Sequence, residues 1–141
     1  QSLVSEVLVA LAADTKPSRS GEVLLSPIDD VLDLENIFQP DLVFVSAENS
    51  NIIQFRAIFG APDLLVEVIS PSSAIRDRCQ KKDLYARFGV KEYWIADPAN
   101  HSVEVFVLRD GAYQLHSAGE ANGSVQSFVL AGFQLDLGQL P

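Results

Sequence analysis

Six consecutive residues, Leu64-Leu65-Val66-Glu67-Val68-Ile69, hold five aliphatic side chains and one carboxylate. Their number and β-branched content read as a mostly buried strand, opened by Pro62-Asp63. A second strand of the same kind, Leu42 to Val45, follows Pro40-Asp41. Glu67 therefore stands where strand propensity and burial both call for an apolar side chain. An unpaired carboxylate there is costly, so it requires a metal ion, a cation or a cleft open to water. The alternative is an edge strand, with Glu67 exposed or paired to a structural arginine.

The rest of the chain supplies cover for these strands. Leu3, Val4, Val7, Leu8 and Leu11 recur at helical spacing and predict an amphipathic helix over Gln1 to Ala13. A loop over Lys16 to Gly21 and a short strand over Glu22 to Pro27 lead to an acidic stretch, Asp29, Asp30, Asp33 and Glu35, expected to face water. Ser70-Pro71-Ser72-Ser73 is a turn able to cap a helix spanning Ala74 to Phe88 and stopped by Gly89. Strands over Glu92 to Ala96, Ser102 to Leu108 and Ala112 to His116 follow, the last two joined at the hairpin signal Asp110-Gly111. Val125 to Leu130 and Phe133 to Leu137 are expected to complete the sheet. Phe88, Tyr93 and Trp94 are assigned to core packing rather than to a base-stacking platform.

Composition sets the outer bounds. At 141 residues, with 48% hydrophobic and 21% charged side chains, the chain suits one domain, residues 1 to 141, with a sizeable core. No apolar run approaches the ~18 residues needed to cross a bilayer. Cys79 alone forms no internal disulfide, and with two histidines it cannot complete a structural zinc site. The absence of a basic, apolar leader gives a cytoplasmic expectation, although the sequence begins at Gln1. A net charge of -9 argues against a protein that coats nucleic acid, because phosphate binding draws on Lys and Arg. The charge is uneven, however. Arg76 to Lys91 holds six basic residues against Asp77 and Asp83, a local +4, which leaves -13 for the remainder. That segment adjoins the strand of Glu67 and permits phosphate attraction at one surface, though a solvated helix face explains it equally.

Partners for Glu67 must come from other elements. Asp63 shares its strand face but lies ~13 Å away at four residues' distance, and a local Asx turn is the preferred reading for it. Asp41 would lie opposite the far half of Glu67's strand if the two pair antiparallel, and carboxylate oxygens suit magnesium or manganese. Asp77, Lys81 and Tyr85 recur at four-residue spacing on one face of the following helix, as they also would in an ordinary exposed ion pair.

The segments "QPDLVFV", "GAPDLLVEVISPSS", "RDRCQKKDLYARFGVKEYWIADP" and "VEVFVLRDGAYQL" resemble, in order and spacing, the Uma-type family of restriction endonucleases, from about Gln39 to Leu135. That family is similar to the PD-(D/E)xK nuclease superfamily. The resemblance implies an α/β (α+β) fold with a restriction-endonuclease-like central mixed β-sheet flanked by helices, and hydrolysis of DNA phosphodiester bonds with Mg²⁺ or Mn²⁺. It maps the two metal-binding acids to Asp41 and Glu67. The motif lysine falls at Ile69, so the catalytic ammonium is assigned to Lys81 on the helix, at the family's helical lysine position. Asp63, Asp77 and Tyr85 are supporting residues in this scheme, and Arg76, Arg78 and Lys82 are nucleic-acid contacts. A homodimer is expected, as is a further N-terminal segment before the first helix. Ile69 and the acidic charge also admit a catalytically degenerate domain kept as a binding or dimerisation module.

Overall fold

In the computed structural model, which describes residues 2–70, 72 and 75–139, the chain begins with helix α1 (Ser2–Ser18). The strands β1 (Gly21–Leu25), β2 (Asp29–Val31), β3 (Ile37–Phe38) and β4 (Leu42–Ser46) follow. Next come a 3₁₀ turn (Ala47–Ile52), β5 (Ile53–Gln54), β6 (Ala57–Phe59) and β7 (Leu64–Val68). Helix α2 (Ile75–Phe88) leads to β8 (Glu92–Asp97), β9 (Ser102–Arg109), β10 (Ala112–Glu120), β11 (Ser124–Gln126) and β12 (Gln134–Asp136). No described helix is long and apolar enough to cross a membrane.

The main sheet has the order β1-β4-β7-β8-β9-β10. Its neighbours are antiparallel except for β7 and β8, which run parallel and therefore need a crossover connection, supplied by α2. The sheet is mixed, as expected. Side-chain alternation divides the core into two layers. Leu42, Phe44, Leu64, Val66 and Trp94 face Val7 and Leu11 of α1, together with Val125 and Leu135. Val43, Val45, Leu65, Tyr93 and Ile95 face the opposite way, toward Tyr85 of α2 and Ile58. β4, β7 and β8 are thus covered on both faces, which accounts for their nearly unbroken apolar runs.

Several expectations are corrected. α1 continues through Pro17 to Ser18, past the expected stop at Ala13; its last turn is closed by the Ser18 hydroxyl donating to the Asp14 carbonyl at 3.1 Å, and Arg19 ends it in the left-handed region at φ 54°. The side chains of Leu3 and Val4 lie outside the described residues. The acidic stretch is not uniformly solvated. β2, β3, β5 and β6 form a second sheet, ordered β3-β2-β6-β5, with Asp30 at its centre and 0% exposed. Strands of two or three residues carry too little periodicity to announce themselves in sequence. β11 and β12 form a separate two-stranded ribbon rather than completing the main sheet, and residues 127–130 are outside both strands. This ribbon is tied down by a buried acid. Glu92 accepts hydrogen bonds from the Trp94 indole (2.7 Å), the Ser127 hydroxyl (2.7 Å) and the backbone N–H groups of Phe128 and Val129 (both 2.8 Å). Four donors offset the desolvation of a carboxylate that is 0% exposed.

Two hairpins use two-residue turns with both residues at positive φ. Asp110 (52°) and Gly111 (81°) join β9 to β10, the composition that such a turn favours. Phe55 (50°) and Arg56 (64°) join β5 to β6, where the left-handed conformation of each non-glycine residue costs roughly 1 kcal/mol or more.

Candidate active site

β4 and β7 pair antiparallel with Leu42 opposite Val66, so one residue further along the ladder Asp41 stands opposite Glu67. Both belong to the face that carries Val43, Val45 and Leu65, beneath α2. Asp41 is held from two sides. Its Oδ2 accepts the Val68 N–H at 2.8 Å, and its carbonyl accepts the Ser26 N–H at 3.0 Å. The antiparallel pairing, the condition for Asp41 to lie opposite the far half of Glu67's strand, is the one observed.

Glu67 is 8% exposed. Its Oε2 accepts the Tyr85 hydroxyl at 2.8 Å and lies 3.5 Å from the Lys81 ammonium, while its Oε1 accepts the Tyr93 hydroxyl at 3.1 Å. Lys81 and Tyr85 are one helical turn apart, so a single face of α2 delivers both. Burial, then the Glu67 charge and the hydrogen bond to it, push both the Tyr85 and Tyr93 phenols up. Both hydroxyls therefore keep their protons and donate to Glu67. The Lys81 side chain is 44% exposed and opens the cluster to solvent. Ile69 lies on the same strand face as Glu67 and packs against the second core layer, so the motif-lysine position is apolar and the ammonium comes from the helix.

Asp63 is elsewhere. It occupies the other end of β7, where its Oδ2 accepts the Ser46 N–H at 2.6 Å and its Oδ1 lies 3.3 Å from the Lys91 ammonium. The expected Asx turn is replaced by a bond across 17 residues, because the antiparallel ladder brings the end of β4 over the entry to β7. Lys82 is turned to the next part of the sheet, 3.7 Å from the centre of the Phe106 ring. Arg78 lies on the face of Lys81 and Tyr85, with a buried Nε that has no hydrogen-bond partner. The side chains of Arg76 and Asp77 lie outside the described residues.

Two residues of this neighbourhood escape the sequence reading. Tyr93 was assigned to the core, and it is 0% exposed, yet its hydroxyl also completes the Glu67 shell. A tyrosine in an apolar strand beside a stranded carboxylate was the available signal, since buried phenols seek acceptors. Asp30 had no signal beyond its acidic neighbours. It stands opposite Phe38 on one side and Ile58 on the other, both directed into the second core layer. The Phe38 ring meets Tyr85 edge-on at 5.4 Å. Both Asp30 carboxylate oxygens lack partners, and burial raises its pKa from 3.8 to about 7.

A model of the Uma2 family, described as "Putative restriction endonuclease", matches residues 1–138. The chain belongs to the Uma2 family. Its fold is also that of a solved structure, described as a "putative nuclease belonging to DUF820" from Anabaena variabilis, with a TM-score of 0.75 and 16% identity over 97% of this chain and 76% of that one. No curated protein matches. The Uma2 assignment and the mixed sheet agree with the expectation from the four sequence segments; Glu67, Lys81 and Tyr85 meet on that sheet, and Asp41, on the neighbouring strand, is bonded to the Val68 N–H.

Proposed function

We propose that this Uma2 protein is a magnesium-dependent endodeoxyribonuclease, with manganese as the alternative ion. The observation that carries the reading is Glu67: a buried carboxylate directly opposite Asp41 in the ladder and ion-paired to Lys81. Restriction-endonuclease-like families generally use divalent metals. The donor set fits such an ion in kind. Asp41 and Glu67 offer hard oxygens, and magnesium is commonly held by one or two carboxylates, with water and substrate phosphate completing its shell. Among the described residues no group of three or more His, Cys, Asp and Glu side chains is close enough to hold a metal.

When bound, the ion neutralises phosphate charge and makes water more acidic. The protein groups do the rest. The Val68 N–H fixes Asp41, and Tyr85 and Tyr93 fix Glu67, so neither carboxylate needs to reorganise when DNA arrives. Lys81, anchored at 3.5 Å from Glu67 but half exposed, orients the attacking water and stabilises charge developing on the phosphoryl oxygens. Arg78, on the same helix face, binds the phosphate next to the one cut, and Arg76 and Lys82 add to the positive field of α2. Asp77 supports Lys81 in this scheme, whereas Asp63 supports the strand pair. A homodimer would present two such sites to the two strands of a duplex.

The second reading, a degenerate domain that binds without cutting, is favoured by two observations: Ile69 occupies the motif-lysine position, and both Glu67 oxygens already have protein partners. Nicking of supercoiled plasmid in a magnesium titration at low salt separates the readings. The native protein should nick, and Asp41→Asn, Glu67→Gln and Lys81→Ala should each lose at least about a hundredfold in rate. Equal nicking by all four proteins would exclude this site. No nicking at any magnesium or manganese concentration, with DNA still bound, would establish the module reading.

A further inference from the structure

The β5–β6 hairpin has a turn whose conformation and residues disagree. A two-residue turn with both φ values positive favours Asn-Gly, yet here it is Phe55 at 50° and Arg56 at 64°. Phe55 is 95% exposed, so the ring gains nothing from the core in exchange for the strain. The tip is placed at a particular end of the small sheet. Asp29 is in register with Ala57, the residue after Arg56, and continuing the β2–β3 ladder by one residue sets Asp29 opposite Gln39. The Gln39 amide donates to the Asp29 carboxylate at 2.8 Å, and Pro40-Asp41 follows directly. Two strand spacings, ~10 Å, and two residues of chain therefore separate the hairpin from the acid opposite Glu67. At 3.4 Å per step along a strand, that distance corresponds to a few nucleotides.

We infer that the Phe55–Arg56 tip is a second nucleic-acid contact, with the Phe55 ring stacking on or wedging between bases and the Arg56 guanidinium on a phosphate. The inference rests on the nuclease reading and adds the residues that grip the strand beside the cut. An exposed aromatic ring next to a guanidinium offers a nucleic acid both of the surfaces it presents, a base face and a charged backbone. The tip's place beside the candidate site puts it along the path of a strand that reaches Asp41. Leu34, equally exposed at 95%, lies in the β2–β3 turn at the far end of the same sheet and provides a control.

The test is fluorescence anisotropy with a labelled 20-base-pair duplex, with Ca²⁺ in place of Mg²⁺ so that the duplex is held without being cut. The double variant Phe55→Asn/Arg56→Gly satisfies the turn, so it should melt at a higher temperature than the native protein while binding DNA about tenfold more weakly. Arg56→Ala should lower the magnitude of the slope of log K against log salt by about 0.9. A duplex carrying 2-aminopurine a few nucleotides from the cut should lose its Phe55-dependent quenching in Phe55→Ala. Leu34→Ala should match the native protein throughout. If the double variant binds as tightly as the native protein, the tip is not a contact and the nuclease reading stands without it. If the native protein binds no DNA in either ion, the nuclease reading fails and this inference fails with it.

Discussion

Tyr93 donates its hydroxyl to Glu67 Oε1 at 3.1 Å from β8, the strand paired in parallel with Glu67's own. Together with Tyr85 on α2, it holds the carboxylate in one position at the edge of the core. Removing either hydroxyl leaves a buried charge short of a donor. Tyr93→Phe and Tyr85→Phe should each destabilise the fold by about 1.5–3 kcal/mol in urea unfolding, and a double-mutant cycle between Tyr85→Phe and Glu67→Gln should return a favourable coupling.

Glu67→Leu should also destabilise the fold, because the buried Tyr85 and Tyr93 hydroxyls lose their acceptor at about 1–3 kcal/mol each, while nicking disappears. A variant that is both less stable and fully active would show that Glu67 is structural.

Lys81 separates chemistry from stability. Its ammonium is half exposed, so the pair with Glu67 should contribute less than about 1 kcal/mol to folding. Lys81→Ala should unfold within that margin of the native protein and still lose most of its nicking rate. A large loss of stability instead would assign the lysine to the scaffold.

Asp30 predicts a pH dependence. Its carboxyl is raised from 3.8 to about 7 by burial, so the folded state keeps a proton that the unfolded chain releases. Below pH 4 both states are protonated and there is no effect. Between pH 4 and 7 the unfolded state binds fewer protons, and stability falls as pH rises, by on the order of 4 kcal/mol in all. Above pH 7 the loss levels off. Urea midpoints across this range should show the slope in the native protein, and Asp30→Asn should flatten it.

Asp63 should behave as a scaffold residue. Asp63→Ala leaves the Ser46 N–H without its acceptor and should cost about 1–3 kcal/mol. At temperatures where the variant is folded, its nicking rate should equal the native one.

The parts of this molecule legible in sequence are those where one strong preference acts alone. β4, β7 and β8 are runs of aliphatic and aromatic residues, α2 stops before Gly89, and the Asp110-Gly111 turn names its own geometry. Glu67 was conspicuous because a single charge violates the pattern of its strand. Asp41 and Lys81 followed from family resemblance, and the ladder and α2 bring them to Glu67. The small sheet was illegible because its strands are two or three residues long and its ladder joins segments as far apart as Asp29 and Ala57. Asp30 hid for the same reason: the strands on either side of it set it opposite Phe38 and Ile58, neither of them adjacent to it in the chain. Asp63 misled because its partner is 17 residues away.

The one parallel pair of the main sheet obliges the chain to return across a face before β8 can form, and the 14 residues that make this return also bring the ammonium to Glu67. Architecture and reactivity are thereby written into the same stretch of polypeptide. Shortening that return would cost the sheet its topology and the carboxylate its counter-charge in a single event, so the two properties are inherited or lost together.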